Sequence, residues 1–208
     1  MIKQIQWLGH GSFLIQGPPL IYINPWKVIR TAFHADVILI GHDHYEHFSP
    51  ADIDKLKGDH TRIISNESVA SELHHDVTIL KPWHTITVDR AGIKAVPAYS
   101  PEDMRHPPEA NGLGFIISMN YYDIYYAGDT GRISEMENIR PDIAILPIDN
   151  NGTLSVEQAA KLVDEMRPRW TIPYNWGTMT DGATLMDAQE FKSLVGGRSE
   201  VIIPQRSS

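Results

Sequence analysis

The sequence predicts a mixed α/β chain in which strands dominate both halves and helices arrive late in each. Three observations carry this expectation. Short apolar runs recur along the chain, and each is cut off by Gly, Pro or Asn. The helix-compatible segments are few, and polar residues suited to capping precede them. One apolar run, 37–40, stops at Gly41 and empties into a loop crowded with histidines.

In chain order, Ile2, Ile5 and Trp7 lie among polar residues, as in a half-buried strand. Gly9-His10-Gly11-Ser12 is a turn, and a second strand starts at 13–15. Gly17-Pro18-Pro19 breaks it before a third strand at 20–23, which ends at Asn24-Pro25-Trp26. The run 37–40, rich in β-branched residues, reads as a buried strand. A short helix follows at 51–57, with Ser49 as N-cap and Pro50 at the first helical position. A strand at 62–64 leads to a helix at 66–73, for which Ser65 is the candidate cap. Strands are expected at 77–80, 85–88 and 93–98, and 115–119 pairs with 123–126 as a hairpin. A strand at 143–148 then precedes an amphipathic helix capped by Ser155, with Val156, Ala159, Ala160, Leu162 and Val163 on its apolar side. A strand at 170–173, a helix at 186–194 and a strand at 201–203 complete the pattern. No repeat or low-complexity linker interrupts it, so 1–208 reads as one domain.

Composition narrows the function classes. The net charge is −8, from 18 basic and 26 acidic residues, which argues against a general nucleic-acid or anionic-membrane binder. Without cysteine there is no disulfide, thiolate metal site or cysteine nucleophile. No apolar run approaches a membrane span, and the first residues lack a signal-peptide core, so a cytoplasmic protein is expected. A Gly-x-Ser-x-Gly nucleophile turn and a phosphate-cradling glycine loop are both absent.

The informative chemistry lies in His42-Asp43-His44-Tyr45-Glu46-His47. Three imidazoles and a carboxylate at the exit of a buried strand have no packing purpose, and they are ligands that zinc, iron and manganese accept. In an extended loop, residues 42, 44 and 46 would project to one side, with His47 turning in beside them. The remaining histidines, His34, His60, His74, His75 and His84, read as structural or surface residues.

The stretch resembles the His-x-His-x-Asp-His motif of the metallo-β-lactamase-fold hydrolases, with Glu46 where that family has Asp. The opening Trp7-Leu8-Gly9-His10-Gly11-Ser12-Phe13 and Tyr22-Ile23-Asn24-Pro25-Trp26 look like the start of its small hydrolases, Asn24 standing in place of an Asp. Gly128-Asp129-Thr130 after a strand resembles the family's position for a carboxylate shared by two metals. The resemblance extends from about Trp7 to Gly177.

It implies a four-layer αββα sandwich and a hydrolase that uses a divalent metal, zinc first, with manganese or iron as alternatives. His42, His44 and His106 would hold one ion. Glu46 and His47 would hold a second, with Asp129 between, and Asn175 replaces the last metal histidine. Glu46 and Asp129 would be the catalytic carboxylates, and His10 and Tyr99 would stand near the substrate. Because Glu46 and Asn175 both fall on the second position, one tight and one weak site are expected, the weak one leaning toward manganese or magnesium. The expected partner is a small ester, lactone or phosphoester substrate, with no nucleic acid and no membrane; a homo-oligomer stays open. The alternative is a non-catalytic metal binder of the same fold, motivated by Asn24, Glu46 and Asn175.

Overall fold

The computed structural model describes residues 1–29, 33–177, 179 and 182–206. Its strands form two sheets whose spatial order follows the chain. The first contains β1 (Ile5–Gly9), β2 (Ser12–Ile15), β3 (Ile21–Ile23), β4 (Val37–Leu39), β5 (Arg62–Ser65) and β6 (Val77–Ile79). It is antiparallel from β1 to β3 and parallel from β3 to β6. The second contains β7 (Thr85–Val88), β8 (Ala91–Pro97), β9 (Leu113–Met119), β10 (Tyr122–Tyr126), β11 (Ile143–Pro147), β12 (Trp170–Tyr174) and β13 (Glu200–Val201). It is antiparallel from β7 to β10 and parallel from β10 to β13.

Alternation along the strands sorts side chains into layers. In the first sheet Phe13, Ile15, Ile21, Ile23, Val37, Leu39 and Ile64 join the large core shared with the second sheet. Their neighbours Tyr22, Ile38, Ile40 and Ile63 point the other way, onto α1 (Pro50–Leu56) and α2 (Glu67–Glu72) through Ile53, Leu56 and Val69. Both faces of these strands are therefore buried, which is why they read as continuous apolar runs. On the far side, α3 (Val156–Met166) buries Val156, Ala159, Ala160, Leu162, Val163 and Met166 at helical spacing. It packs on β11 and on α4 (Leu185–Val195). The result is the αββα sandwich.

The caps show where local chemistry decided the ends. Ser49 Oγ accepts from Asp52 N, and the Ser155–Gln158 capping box opens α3. The expected Ser65 cap is corrected: Asn66 caps α2 through Val69 N, while Ser65 Oγ donates to Ile40 O inside the first sheet. The β9–β10 hairpin turns at Asn120 and Tyr121, both left-handed, as a two-residue turn between twisted strands requires. The first residues, 2–4, form a 3-10 turn rather than strand, so β1 begins at Ile5. Among the described residues no helix is long and apolar enough to cross a membrane.

Candidate metal centre

The chain turns of the candidate site gather at one end of the two sheets. The loop after β4 carries His42 to His47, the exit of β10 carries Asp129, and Asn175 follows β12 directly. The β1–β2 turn brings His10, and the long β8–β9 connection brings His106. Among the described residues, three groups of ligand-type atoms come within 4.8 Å of one another: His42, His44 and His106; His10, Glu46 and His47; and His42, His47 and Asp129.

The histidine loop is not extended throughout. His47 N and Phe48 N both bond to His44 O, so the chain folds into a turn after His44. That turn corrects the expected one-sided projection. His42 and His44 face His106, with ring centroids 5.4 Å and 5.0 Å away, whereas Glu46 and His47 fall on the other side with His10. Asp43, the other carboxylate of the run, is exposed and accepts from Ser68 Oγ at 2.6 Å.

Asp129 is the hub. Its Oδ2 lies 3.1 Å from His47 Nε2, 3.5 Å from His106 Nε2 and 3.8 Å from His42 Nε2. Atoms that share one tetrahedral ion at about 2.0–2.2 Å stand roughly 3.4 Å apart, so the His106 and His42 spacings suit a shared cation. Burial alone would raise the Asp129 pKa, but the surrounding His47, His42 and His106 hold it well below the usual carboxylate range. Burial lowers the His42 pKa well below its usual value, with His47 adding to the effect, and it lowers His106 too. Neutral imidazole and ionised carboxylate are the forms that ligate.

The two sides differ in what stands behind each ring. His106 Nδ1 lies 2.9 Å from Gly152 O, an acceptor that fixes the hydrogen on Nδ1 and leaves the Nε2 lone pair free. The approach requires glycine: a Cβ on Gly152 would sit 2.9 Å from that nitrogen, and φ is +73°. His47 Nδ1 instead lies 2.8 Å from Asn24 Nδ2. Gly11 lets this ring pack closely, since a Cβ there would come within 2.4 Å of His47 Cε1. Burial pulls the His47 pKa down, yet Asp129 and Glu46 outweigh it and the net shift is upward. The contact at Nδ1 opposes that charge, because a doubly protonated ring would turn an N–H on the Asn24 amide.

His10 is buried, its backbone left-handed at φ 48°, with its ring 5.2 Å from that of His47. Burial, then His47, lowers its pKa from 6.5 to about 4. Its place beside Glu46 and His47 makes it a ligand-type neighbour of the cluster, where the resemblance implied a place near the substrate. Tyr99 is pinned through its backbone to Thr130, and its hydroxyl donates to Glu135 at 3.1 Å. Asn175 Nδ2 donates to Asp129 Oδ1 at 3.2 Å. Sequence reasoning missed Asp149, read only as a polar loop residue; burial, then Asp129, raises its pKa to about 6. It also missed Asp52, whose carboxylate accepts from Lys27 N and Val28 N and so fixes the loop beyond Asn24. Of the other histidines, His34, His60, His74 and His84 are exposed, and His75 pairs with Asp54 at 2.7 Å.

The donor set fits a metal on one structural observation. Buried His42 Nε2, Glu46 Oε2, His106 Nε2 and Asn175 Oδ1 have no hydrogen-bond partner among the described residues. An unpartnered buried polar atom costs about 1–3 kcal/mol, and His42 Nε2 and His106 Nε2, both facing the Asp129 carboxylate, are atoms that a cation would satisfy.

Comparison with known proteins agrees. A family model, the beta-lactamase superfamily domain, matches residues 4–175. A UPF0173 metal-dependent hydrolase of Thermococcus kodakarensis is 33% identical over 99% of this chain and 97% of its own. One from Thermococcus onnurineus is 32% identical over 98% and 96%. The crystal structure of a candidate metal-dependent hydrolase from Parabacteroides distasonis superposes with a TM-score of 0.86, at 30% identity over 98% of this chain and 93% of that one. The chain belongs to the metallo-β-lactamase superfamily, among its metal-dependent hydrolases.

Proposed function

We propose that this protein hydrolyses a small ester, lactone or phosphoester in the cytoplasm, using one tightly held divalent ion, zinc first and manganese or iron next. The single observation that carries this reading is the convergence of His42, His44 and His106, whose ring nitrogens come within 4.8 Å of one another while two of them face the buried Asp129 carboxylate. His42, His44 and His106 are the ligands, and Asp129 completes the set. When bound there, the ion supplies a water of near-neutral pKa and polarises the scissile carbonyl or phosphoryl oxygen.

The chain's own groups do the rest. Asp129, kept ionised by its neighbours, accepts hydrogen bonds from the attacking water and holds its direction. Glu46, whose Oε2 is buried and unpartnered, takes a proton as the water attacks. Asn175 steadies Asp129 from behind through its amide. His10 lines the Glu46 side of the cluster, where the substrate arrives.

The test is metal content after loading with zinc, manganese or iron, followed by lactone, phosphodiester and thioester substrates. Turnover that depends on the loaded metal is the expected result. A chain that takes up no metal from any of the three would overturn the reading. The second reading, a metal binder without turnover, is favoured by Asn24 and Asn175, which put neutral amides at two points of the cluster. It predicts bound metal and no hydrolysis across the panel.

A further inference from the structure

The strongest unexplained feature is the hydrogen-bond chain through Asn24. This residue is fully buried and left-handed at φ 45°, a conformation Asn tolerates better than most. Its orientation is fixed from one side. Gly41 N donates to Asn24 Oδ1 at 2.8 Å, so the oxygen must face Gly41 and the amide nitrogen must face away. Turning the amide over would set its N–H groups against the Gly41 N–H.

The two hydrogens on Nδ2 then have two destinations. One goes to Tyr126 Oη at 2.9 Å, and that hydroxyl spends its own hydrogen on Gly11 O, also at 2.9 Å. Tyr126 therefore acts as acceptor toward Asn24. The other faces His47 Nδ1 at 2.8 Å. A ring nitrogen that receives an N–H donor must offer its lone pair. The single hydrogen of the neutral ring is then on Nε2, beside Asp129 Oδ2 at 3.1 Å.

We propose that Asn24 holds His47 in the Nε2–H tautomer and so withholds it from a second metal ion, making this a one-metal site. The inference rests on the metal-dependent reading above and adds its cause for the inequality of the two positions. An aspartate at 24 would reverse the polarity: one oxygen would still accept from Gly41 N, and the other would accept from His47 Nδ1–H. The Nε2 lone pair would then be free, as the Gly152 carbonyl leaves it free in His106. Asn24 thus acts as a positioning residue through His47.

The measurement is long-range proton–nitrogen NMR on zinc-loaded protein carrying 15N-histidine, with His47→Gln identifying the His47 signals, together with zinc stoichiometry. The wild type should bind close to one zinc and give the Nε2–H pattern at His47. Asn24→Asp should bind close to two, with His47 changed to Nδ1–H. An Nδ1–H pattern at His47 in the wild type overturns the proposal, as does an Asn24→Asp protein that folds and still binds one zinc. Should the variant not fold, the wild-type tautomer still decides. The two readings also fail separately: no zinc bound at all defeats the metal-dependent reading, whereas one zinc with Nδ1–H at His47 defeats only the role of Asn24.

Discussion

His106 and His47 are both buried imidazoles facing the same carboxylate, yet they have opposite partners behind them. A backbone carbonyl stands behind His106, and a side-chain amide N–H stands behind His47. The first ring is set to give its Nε2 lone pair to a cation, and the second is set to keep a hydrogen there. Ligand identity alone does not make a metal position; the hydrogen-bond polarity one step further out decides whether the ligand can serve.

The largest expected effect breaks the intact side. Replacing His42 or His44 by Ala should weaken zinc binding by more than about 100-fold, because losing a ligand exceeds the roughly 10- to 100-fold cost of losing its supporting partner. Hydrolysis should go with it, and elemental analysis of the folded variants reads the result. Full metal content in both would mean that the ion sits elsewhere. Asp129→Asn touches both sides at once. It keeps an oxygen but loses the ligand's charge, so zinc affinity should fall by at least about 10- to 100-fold while circular dichroism stays unchanged.

The third prediction uses pH, because two rings on the Glu46 side, His10 and His47, are shifted in opposite directions. His10 is lowered from 6.5 to about 4, so between those values the unfolded chain binds a proton that the fold refuses. Its contribution is complete above pH 6.5 and is lost as pH falls toward 4. At pH 5 the loss is roughly 2 kcal/mol, from about 1.5 pKa units at 1.36 kcal/mol each. His47, with its pKa raised, works in the opposite sense, contributing most below 6.5. Urea unfolding of metal-stripped protein at pH 7 and pH 5 should show a net loss, and His10→Gln should flatten it. A steeper loss in His10→Gln would refute the assignment.

A smaller effect is expected from Gly152→Ala, which strains a left-handed residue and pushes a methyl toward His106 Nδ1. Stability should fall by about 1 kcal/mol or somewhat more. Calorimetric zinc titration should show an affinity about 10-fold lower, with the stoichiometry unchanged.

Much of this was legible in the sequence. The strand–loop–helix around His42 to His47 follows from an apolar run, a stop glycine and a Ser-Pro helix start. The order of His42, His106 and Asp129 along the chain carried the family and therefore the sandwich. Directions were not legible. Whether Glu46 sides with His44 or with His10 depends on a turn made by backbone bonds to His44 O. Ser65 and Asn66 are both good caps, and the choice fell to Asn66 because Ile40 O claimed the Ser65 hydroxyl. The replacement of a carboxylate by Asn24 was visible as a lost charge, but its consequence for His47 needed the Gly41 and Tyr126 contacts that orient the amide.

The most direct measurement of the inequality between the two sides is a zinc titration of the unmodified chain followed by native mass spectrometry. One ion should bind first and saturate at a ratio of one, and any second should appear only at concentrations at least about 10-fold higher. Two ions entering together with equal affinity would contradict the account.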